Sequence, residues 1–537
     1  MWSLSTVLPC VALASARHAF VTRDETTLST LTLSGPASLP TDATPPLNPA
    51  LASFSVETAF FEEYMGNESY PNKLSQNLFE NLKERTGVPA EVRIGGITAE
   101  STFWDANQEA ALYNFIGDTG ALKNTTLGPQ FWNSVKLLPG GTKIVMTLDL
   151  ESLNYTGALD MAEAAWKSLG SGQISRFESK SFDFLTDATV GNEPDQYHST
   201  HLDAQSYTAI WERWTVNISK ALGIDYPEFQ VGATAIDPLW PYNTPQADAQ
   251  FDCVSALAAG ANDGHTVKTC SEHTYQYSVC DNTRAAVATL TNLVNHTRLA
   301  EYLDLWQPRI HNVRAQLGPD AFVIGEFNSV SCGGRNSVSN TFGQAIWLLD
   351  TTLYAASINV SRVYVHQGGP LAFYNLWSPT KVFPSYSAYL FVTEAIGHST
   401  SLRLSNIFPG RQANGSSITT AGGDPSAGQI SVYGFWDEKS AQIYPSKLAL
   451  LNLEMYNQTD SYLRPKITID ISAYLPKNQK VMVKRLIAPG ADVMSSDVTT
   501  WAGQSFASGV AEGNIMEENI SDGQVVVEAS SAALVYW

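Results

Sequence analysis

Along the middle of the chain, short runs rich in β-branched and aromatic residues alternate with longer runs whose apolar residues recur at helical spacing. The short runs predict eight strands, over 54–61, 91–95, 143–149, 188–192, 229–235, 266–272, 322–327 and 362–367. Between them lie helical patterns such as 74–85, 158–169 and 207–222, the last two running into Gly170 and Gly223, residues that commonly end helices. Strands and helices in that rhythm build a parallel sheet covered by helices, and eight repeats close it. The expectation is therefore an α/β fold, a (β/α)8 TIM barrel over 51–400. From about residue 401 the pattern changes. Ile467, Ile469 and Ile471 alternate with polar residues, 430–435 and 525–527 are β-rich, and Leu534-Val535-Tyr536-Trp537 follows, which predicts a C-terminal antiparallel β-sandwich domain over 401–537. Residues 17–50 are β-leaning and proline-rich and are expected to add a β segment to that domain.

Hydrophobic residues make up 44% of the 537 and charged residues 16%, a composition of well-buried globular proteins and not of disordered chains. The net charge is −20 and no basic run exceeds Lys484-Arg485, so phosphate backbones and anionic lipid surfaces are repelled. Neither nucleic acid nor a membrane is an expected partner. Residues 1–16 are uncharged and run through Leu4, Val7, Leu8, Val11 and Leu13 to Ala12-Leu13-Ala14 and Ala14-Ser15-Ala16, which predicts a secretory signal peptide, although the usual basic start is missing. Asn-x-Ser/Thr sequons follow at Asn67, Asn124, Asn154, Asn217, Asn295, Asn359, Asn414, Asn457 and Asn519, as in a secreted, extracellular glycoprotein. Cys10 would leave with the signal. Cys253, Cys270, Cys280 and Cys332 remain as an even set able to form two disulfides in three different pairings. No cysteine spacing suits zinc, and no cofactor or metal is expected.

Candidate chemistry comes from two carboxylates in unlike neighbourhoods. Glu193 lies in Gly191-Asn192-Glu193-Pro194, and Glu326 closes the apolar run Phe322-Val323-Ile324-Gly325. Each stands at the end of a predicted strand, the fourth and the seventh, and in (β/α)8 barrels the active site gathers at those carboxyl ends. A carboxylate after an apolar strand is costly unless it is paired or functional. Hydrolysis of a glycoside commonly needs two carboxyl groups, one protonated and one ionised. Trp211 and Trp214, spaced along a helix, read as packing residues and not as a sugar platform, and His273 reads as a structural hydrogen-bonding residue.

Asn192-Glu193-Pro194 at the fourth strand, with a glutamate at the seventh, resembles the retaining glycosidases of clan A. Local features narrow this to a resemblance to glycoside hydrolase family 79, the β-glucuronidase and heparanase family, in its fungal-type secreted form. Arg93-Ile94-Gly95-Gly96 with Glu100 is similar to the second-strand motif whose acidic residue binds sugar hydroxyls, where the family usually has Asp. His273-Thr274-Tyr275 resembles the motif whose tyrosine orients the nucleophile. Gly333-Gly334 resembles the glycine pair whose backbone N–H groups hold the uronate carboxylate, and Tyr374 the tyrosine that closes that pocket.

The resemblance implies a retaining exo-β-glucuronidase that removes terminal β-linked glucuronic acid, 4-O-methylated residues included, from glycans or glycoconjugates. Glu326 would be the nucleophile and Glu193 the acid and base, with Asn192, Tyr275, Gly333, Gly334, Tyr374 and Glu100 binding substrate. The expected partner is a carbohydrate, and the expected state a monomer. The lack of basic clusters argues against endo-cleavage of sulfated polymers of the heparanase or hyaluronidase kind. The same pair of carboxylates would also suit a neutral-sugar β-glycosidase of this clan, and the barrel without turnover would be a catalytically silent sugar-binding protein.

Overall fold

The architecture is that of a computed structural model describing residues 29–35, 37–149, 154–170, 172–178, 193–196, 203–235, 251–280, 282–408, 429–440, 442–477 and 479–537. Eight parallel strands close into a barrel: Ala52–Glu57, Val92–Gly95, Ile144–Thr147, Ile174–Glu178, Phe229–Thr234, Val267–Ser278, Phe322–Ser331 and Arg362–Gln367. Seven of them overlap the predicted strands. The fourth does not, because Ile174–Glu178 fills that position, while 188–192 lies outside the described residues. Glu193 therefore does not directly end the fourth strand. It opens the 3-10 turn Pro194–Gln196, tied to the end of the fifth strand where Ala235 N–H donates to Asp195 Oδ1 at 3.0 Å. The seventh strand is also longer than predicted and places Glu326 in its middle.

The predicted helices are Lys73–Thr86, Tyr155–Leu169 and Ala204–Leu222. Each begins at a residue outside the apolar pattern. Asn72, Asn154 and Asp203 accept from the backbone N–H three residues on, caps that stabilise by about 0.5–2 kcal/mol each. Trp211 and Trp214 are buried in the core, with Trp211 Nε1 donating to the Ala261 carbonyl at 3.0 Å.

Behind the barrel stands a β-sandwich. Its larger sheet runs Leu402–Asn406, Ile430–Asp437, Lys447–Asn452, Ser531–Tyr536, Val481–Ile487 and Thr500–Trp501, with Glu518–Ile520 also paired to Val481–Ile487. These pairings are antiparallel. The smaller sheet is Ser29–Thr32, Lys466–Asp470 and Gln524–Glu528, in which Ser29–Thr32 pairs in parallel with Lys466–Asp470.

Both faces of the large sheet are buried, so its strands read as nearly continuous apolar runs. Tyr433, Phe435, Ala449, Leu451 and Leu534 face the barrel's core, whereas Val432, Leu448, Leu450, Ala533 and Val535 face the small sheet. Full burial of such side chains contributes about 1.5–3 kcal/mol apiece. Between barrel and sheet lie the helices Phe342–Ser357 and Tyr386–Ile396, apolar nearly all round. The buried Asp350 carboxylate on the first of them accepts from Ser431 and Tyr433 of the sheet and lies 2.6 Å from His296 Nδ1.

Candidate active site

At the carboxyl ends of the barrel strands the chain gathers a buried cluster of ionisable groups. Glu326 pairs in register with His273 on the neighbouring sixth strand, next to a β-bulge between Glu272 and His273. Bulges re-aim side chains, and this one brings His273 and Tyr275 toward the site. Tyr275 donates its hydroxyl to Glu326 Oε1 at 2.7 Å, and Arg93 donates from Nη1 to Glu326 Oε2 at 2.8 Å and to Ser55 Oγ at 2.9 Å. His366 Nδ1 stands 3.6 Å from Glu326 Oε2, and its Nε2 lies 3.0 Å from Glu57 Oε2. Burial alone would raise the Glu326 carboxyl. The charges of His366, His273 and Arg93, with the Tyr275 hydrogen bond, outweigh it and hold the group well below the usual carboxylate range. Glu326 is an anion there.

Glu193 occupies the other side of this centre and is partly open to solvent, its Oε1 3.2 Å from His273 Nδ1. A carboxylate oxygen of Glu193, a ring nitrogen of His273 and a carboxylate oxygen of Glu326 all lie within 4.8 Å of one another. Tyr374 is buried beside them, its hydroxyl hydrogen-bonded with Tyr275 and its ring centroid 6.3 Å from that of Tyr275 and 5.8 Å from that of His366. Burial, then the nearby carboxylates, push both phenols well above their ordinary value, so each keeps its proton and stays a donor.

Two glycine pairs shape the centre. A Cβ on Gly95 would fall 2.5 Å from Thr147 Oγ1 and 2.7 Å from the Arg93 guanidinium carbon. One on Gly96, at φ 79°, would fall 2.3 Å from a Glu57 carboxylate oxygen. The Arg-Ile-Gly-Gly run thus leaves room for its own arginine and for the carboxylate of the first strand. Gly333 and Gly334 follow Cys332 with φ of 83°, 80° and 65° respectively, so three successive residues turn in the left-handed region. A Cβ on Gly334 would come 2.8 Å from the Tyr374 backbone nitrogen, so the loops after the seventh and eighth strands touch there.

Of the residues singled out in the sequence, Glu193, Glu326, Tyr275 and Tyr374 converge, while Gly334 approaches the backbone of the same Tyr374 and Gly333 accepts from the neighbouring Phe373 N–H. Glu100 is buried in the 3-10 turn Ile97–Ser101 that follows Gly96, and Asn192 lies outside the described residues. Glu57 and His366 carry no motif in the sequence, and Arg93 stands out there only as part of one. All three sit in barrel strands, with Glu57 and His366 at or next to the carboxyl ends, a position at which a polar residue is a candidate on fold grounds alone. The disulfides are Cys253–Cys270 and Cys280–Cys332. No helix among the described residues is long and apolar enough to cross a membrane.

An eight-stranded barrel with paired carboxyl groups at its active face marks the chain as a glycoside hydrolase. Residues 432–534 match the family model described as the glycosyl hydrolase family 79 C-terminal beta domain. A β-glucuronidase of Neurospora crassa is 26% identical over 92% of this chain and 95% of its own length, and a β-glucuronidase of Aspergillus niger is 26% identical over 91% and 89%. Among solved structures, a 4-O-α-L-rhamnosyl-β-D-glucuronidase from Fusarium oxysporum 12S superposes with a TM-score of 0.75 at 21% identity, covering 94% of this chain and 100% of that one. Over residues 432–534 the chain thus carries a match to the family 79 C-terminal beta domain.

Proposed function

We propose that the chain is a retaining exo-β-glucuronidase that releases terminal β-linked glucuronic acid, 4-O-methylated residues included, from glycans or glycoconjugates. The observation that carries this reading is the approach of Glu193 and Glu326 to within 4.8 Å, with Glu326 held ionised. Carboxyl groups about 5–5.5 Å apart suit double displacement, whereas inversion needs roughly 6.5–9.5 Å to admit a water. The two fungal relatives named β-glucuronidase support the choice of sugar.

Glu326 attacks the anomeric carbon while Glu193 gives its proton to the leaving oxygen, since a second negative charge beside Glu326 is disfavoured. Once Glu326 is esterified that repulsion is gone. Glu193 then takes a proton from water, which attacks the glycosyl-enzyme and restores the first configuration. Tyr275 holds the nucleophile, and Asn192 and Glu100 bind sugar hydroxyls. The substrate's carboxylate enters a centre that already holds an anion, so it needs donors to offset desolvation and repulsion. The backbone N–H groups of Gly333 and Gly334 and the Tyr374 hydroxyl supply them.

The same reading takes 1–16, which lie outside the described residues, as a signal peptide, 51–400 as the catalytic barrel, and 17–50 with 401–537 as the β-domain of a secreted monomer. Of the sequons among the described residues, Asn154, Asn217 and Asn519 are exposed, and Asn154 and Asn295 cap helices. Comparing an aryl β-glucuronide with an aryl β-glucoside, and following the first-formed anomer by NMR, tests the proposal. Release of β-glucuronic acid and preference for the glucuronide are expected. An α-anomer as first product, or equal rates on both substrates, would overturn it.

A further inference from the structure

The loop that carries Gly333 and Gly334 is held from behind. Cys332 precedes the pair and is bonded to Cys280, which follows the end of the sixth strand, with Cα atoms 5.8 Å apart. Arg335, which follows the pair, donates from Nη1 to the carbonyls of Ala285 and Ala288 at 2.7 and 3.0 Å. Ser331 Oγ donates to Ser278 Oγ at 2.7 Å across the same two strand ends. On its far side the loop meets the segment of Tyr374, where Phe373 N–H donates to the Gly333 carbonyl at 2.7 Å. Three successive left-handed residues would be free to reorient in an untethered loop, glycine above all. The sulfur bridge removes that freedom at the residue next to the glycines.

The two disulfides differ in access. Cys253 and Cys270 are wholly buried, 0% exposed, whereas Cys280 and Cys332 are both exposed. A bond placed to brace only the core has no need to lie at the rim beside a candidate cradle.

We propose that the Cys280–Cys332 disulfide is a positioning element that presets the Gly333 and Gly334 N–H groups for an incoming carboxylate, and so sets the preference for uronic acid over neutral sugar. This rests on the reading of that glycine pair as the carboxylate cradle. Cys280 and Cys332 lie past the ends of the sixth and seventh strands, whereas Glu326 sits within the seventh, so opening the bridge acts on recognition and not on bond cleavage.

The test compares the wild type, Cys280→Ala/Cys332→Ala, Cys253→Ala/Cys270→Ala and Gly334→Ala on 4-nitrophenyl β-glucuronide and β-glucoside. Loss of a well-placed bond to a charged group corresponds to a rise in glucuronide KM of about tenfold, and this is expected for Cys280→Ala/Cys332→Ala with kcat changed less than about twofold and the glucoside rate unmoved. Cys253→Ala/Cys270→Ala is expected to keep the wild-type KM. Should the rim variant fold poorly, dithiothreitol on the folded wild type opens the exposed bond instead. It passes two electrons and two protons to the sulfurs and leaves as its own cyclic disulfide, and mass labelling of Cys280 and Cys332 verifies the opening. An unchanged glucuronide KM with the bridge open, while Gly334→Ala raises KM, overturns the inference and leaves the cradle standing. Equal losses on both sugars also overturn it. If Gly334→Ala itself leaves the preference for glucuronide intact, the cradle reading falls and takes the inference with it.

Discussion

The barrel buries charge at both of its ends, and the two clusters are built on opposite plans. At the amino ends of the strands, Glu91 faces Arg176, Arg362 at 3.7 Å and the Tyr364 hydroxyl at 2.6 Å. Burial would raise the Glu91 carboxyl, but the two guanidinium groups and these hydrogen bonds bring it down to about 2. Glu91 is matched by permanent cations, so nothing there exchanges a proton near neutral pH. At the carboxyl ends, Glu57, Glu193 and Glu326 share one guanidinium, Arg93, and two imidazoles, His273 and His366, among the described residues. Burial opposes a charge on His366, but Glu326 and Glu57 outweigh it and raise the imidazole above its ordinary value. The upper cluster relies on imidazoles beside its one guanidinium, and imidazole is the side chain suited to exchanging a proton near neutral pH. One end of the barrel is locked and the other is adjustable, which is what a fold that separates stability from chemistry requires.

The sharpest way to break this contrast is Glu326→Gln. It should lower kcat by about four orders of magnitude or more while the melting temperature stays near wild type, and activity within tenfold of wild type would end the assignment. At the other end, Glu91→Gln strands buried guanidinium groups and should cost about 3–5 kcal/mol in denaturant unfolding, with kcat per folded molecule unchanged. A loss of kcat in that variant would mean that the two ends are coupled.

Tyr275→Phe sharpens the upper half. Removing one donor should cost about a hundredfold in kcat. Because the Tyr275 hydrogen bond lowers the Glu326 pKa, its loss should also move the acid limb of kcat/KM to higher pH, and an unmoved limb would count against the pairing.

The smallest effect belongs to Glu272, outside the barrel's interior and bonded to Arg309 and Trp306 Nε1. Burial, then the Asp252 charge, raise its carboxyl from 4.5 to about 7 despite Arg309. A folded value above the unfolded one stabilises fully below about pH 4.5 and is lost as pH rises through about 7. The melting-temperature advantage of wild type over Glu272→Gln should therefore shrink between about pH 5 and 8, and an advantage that grows instead would contradict this account.

The sequence showed the barrel where its strands are apolar and hid it where they are not. Ile174–Glu178 carries Arg176 and Glu178, and nothing local says that Arg176 will be buried against a carboxylate from a distant strand. The run at 188–192 holds two β-favouring residues, Thr189 and Val190, no more than Ile174 and Phe177 supply, and its place just ahead of Glu193 is what makes it read as the strand. Glu193 and Glu326 were legible because a motif and an apolar run framed them. Glu57 and His366 look like further polar residues in strands that already carry Ser53, Ser55, Arg362 and Gln367, and only barrel closure makes them neighbours. The caps Asn72, Asn154 and Asp203 were readable in kind but fell outside the apolar spacing that set the predicted boundaries.

The parallel pairing of Ser29–Thr32 with Lys466–Asp470 constrains how the molecule can be born. At about 5–20 residues per second, the first of these strands leaves the ribosome tens of seconds before its mate has been translated. The barrel has time to form in between. The sandwich is sealed late, from both flanks of the polypeptide, and until then an unsatisfied edge waits in the open where a chaperone or a neighbouring nascent chain can reach it.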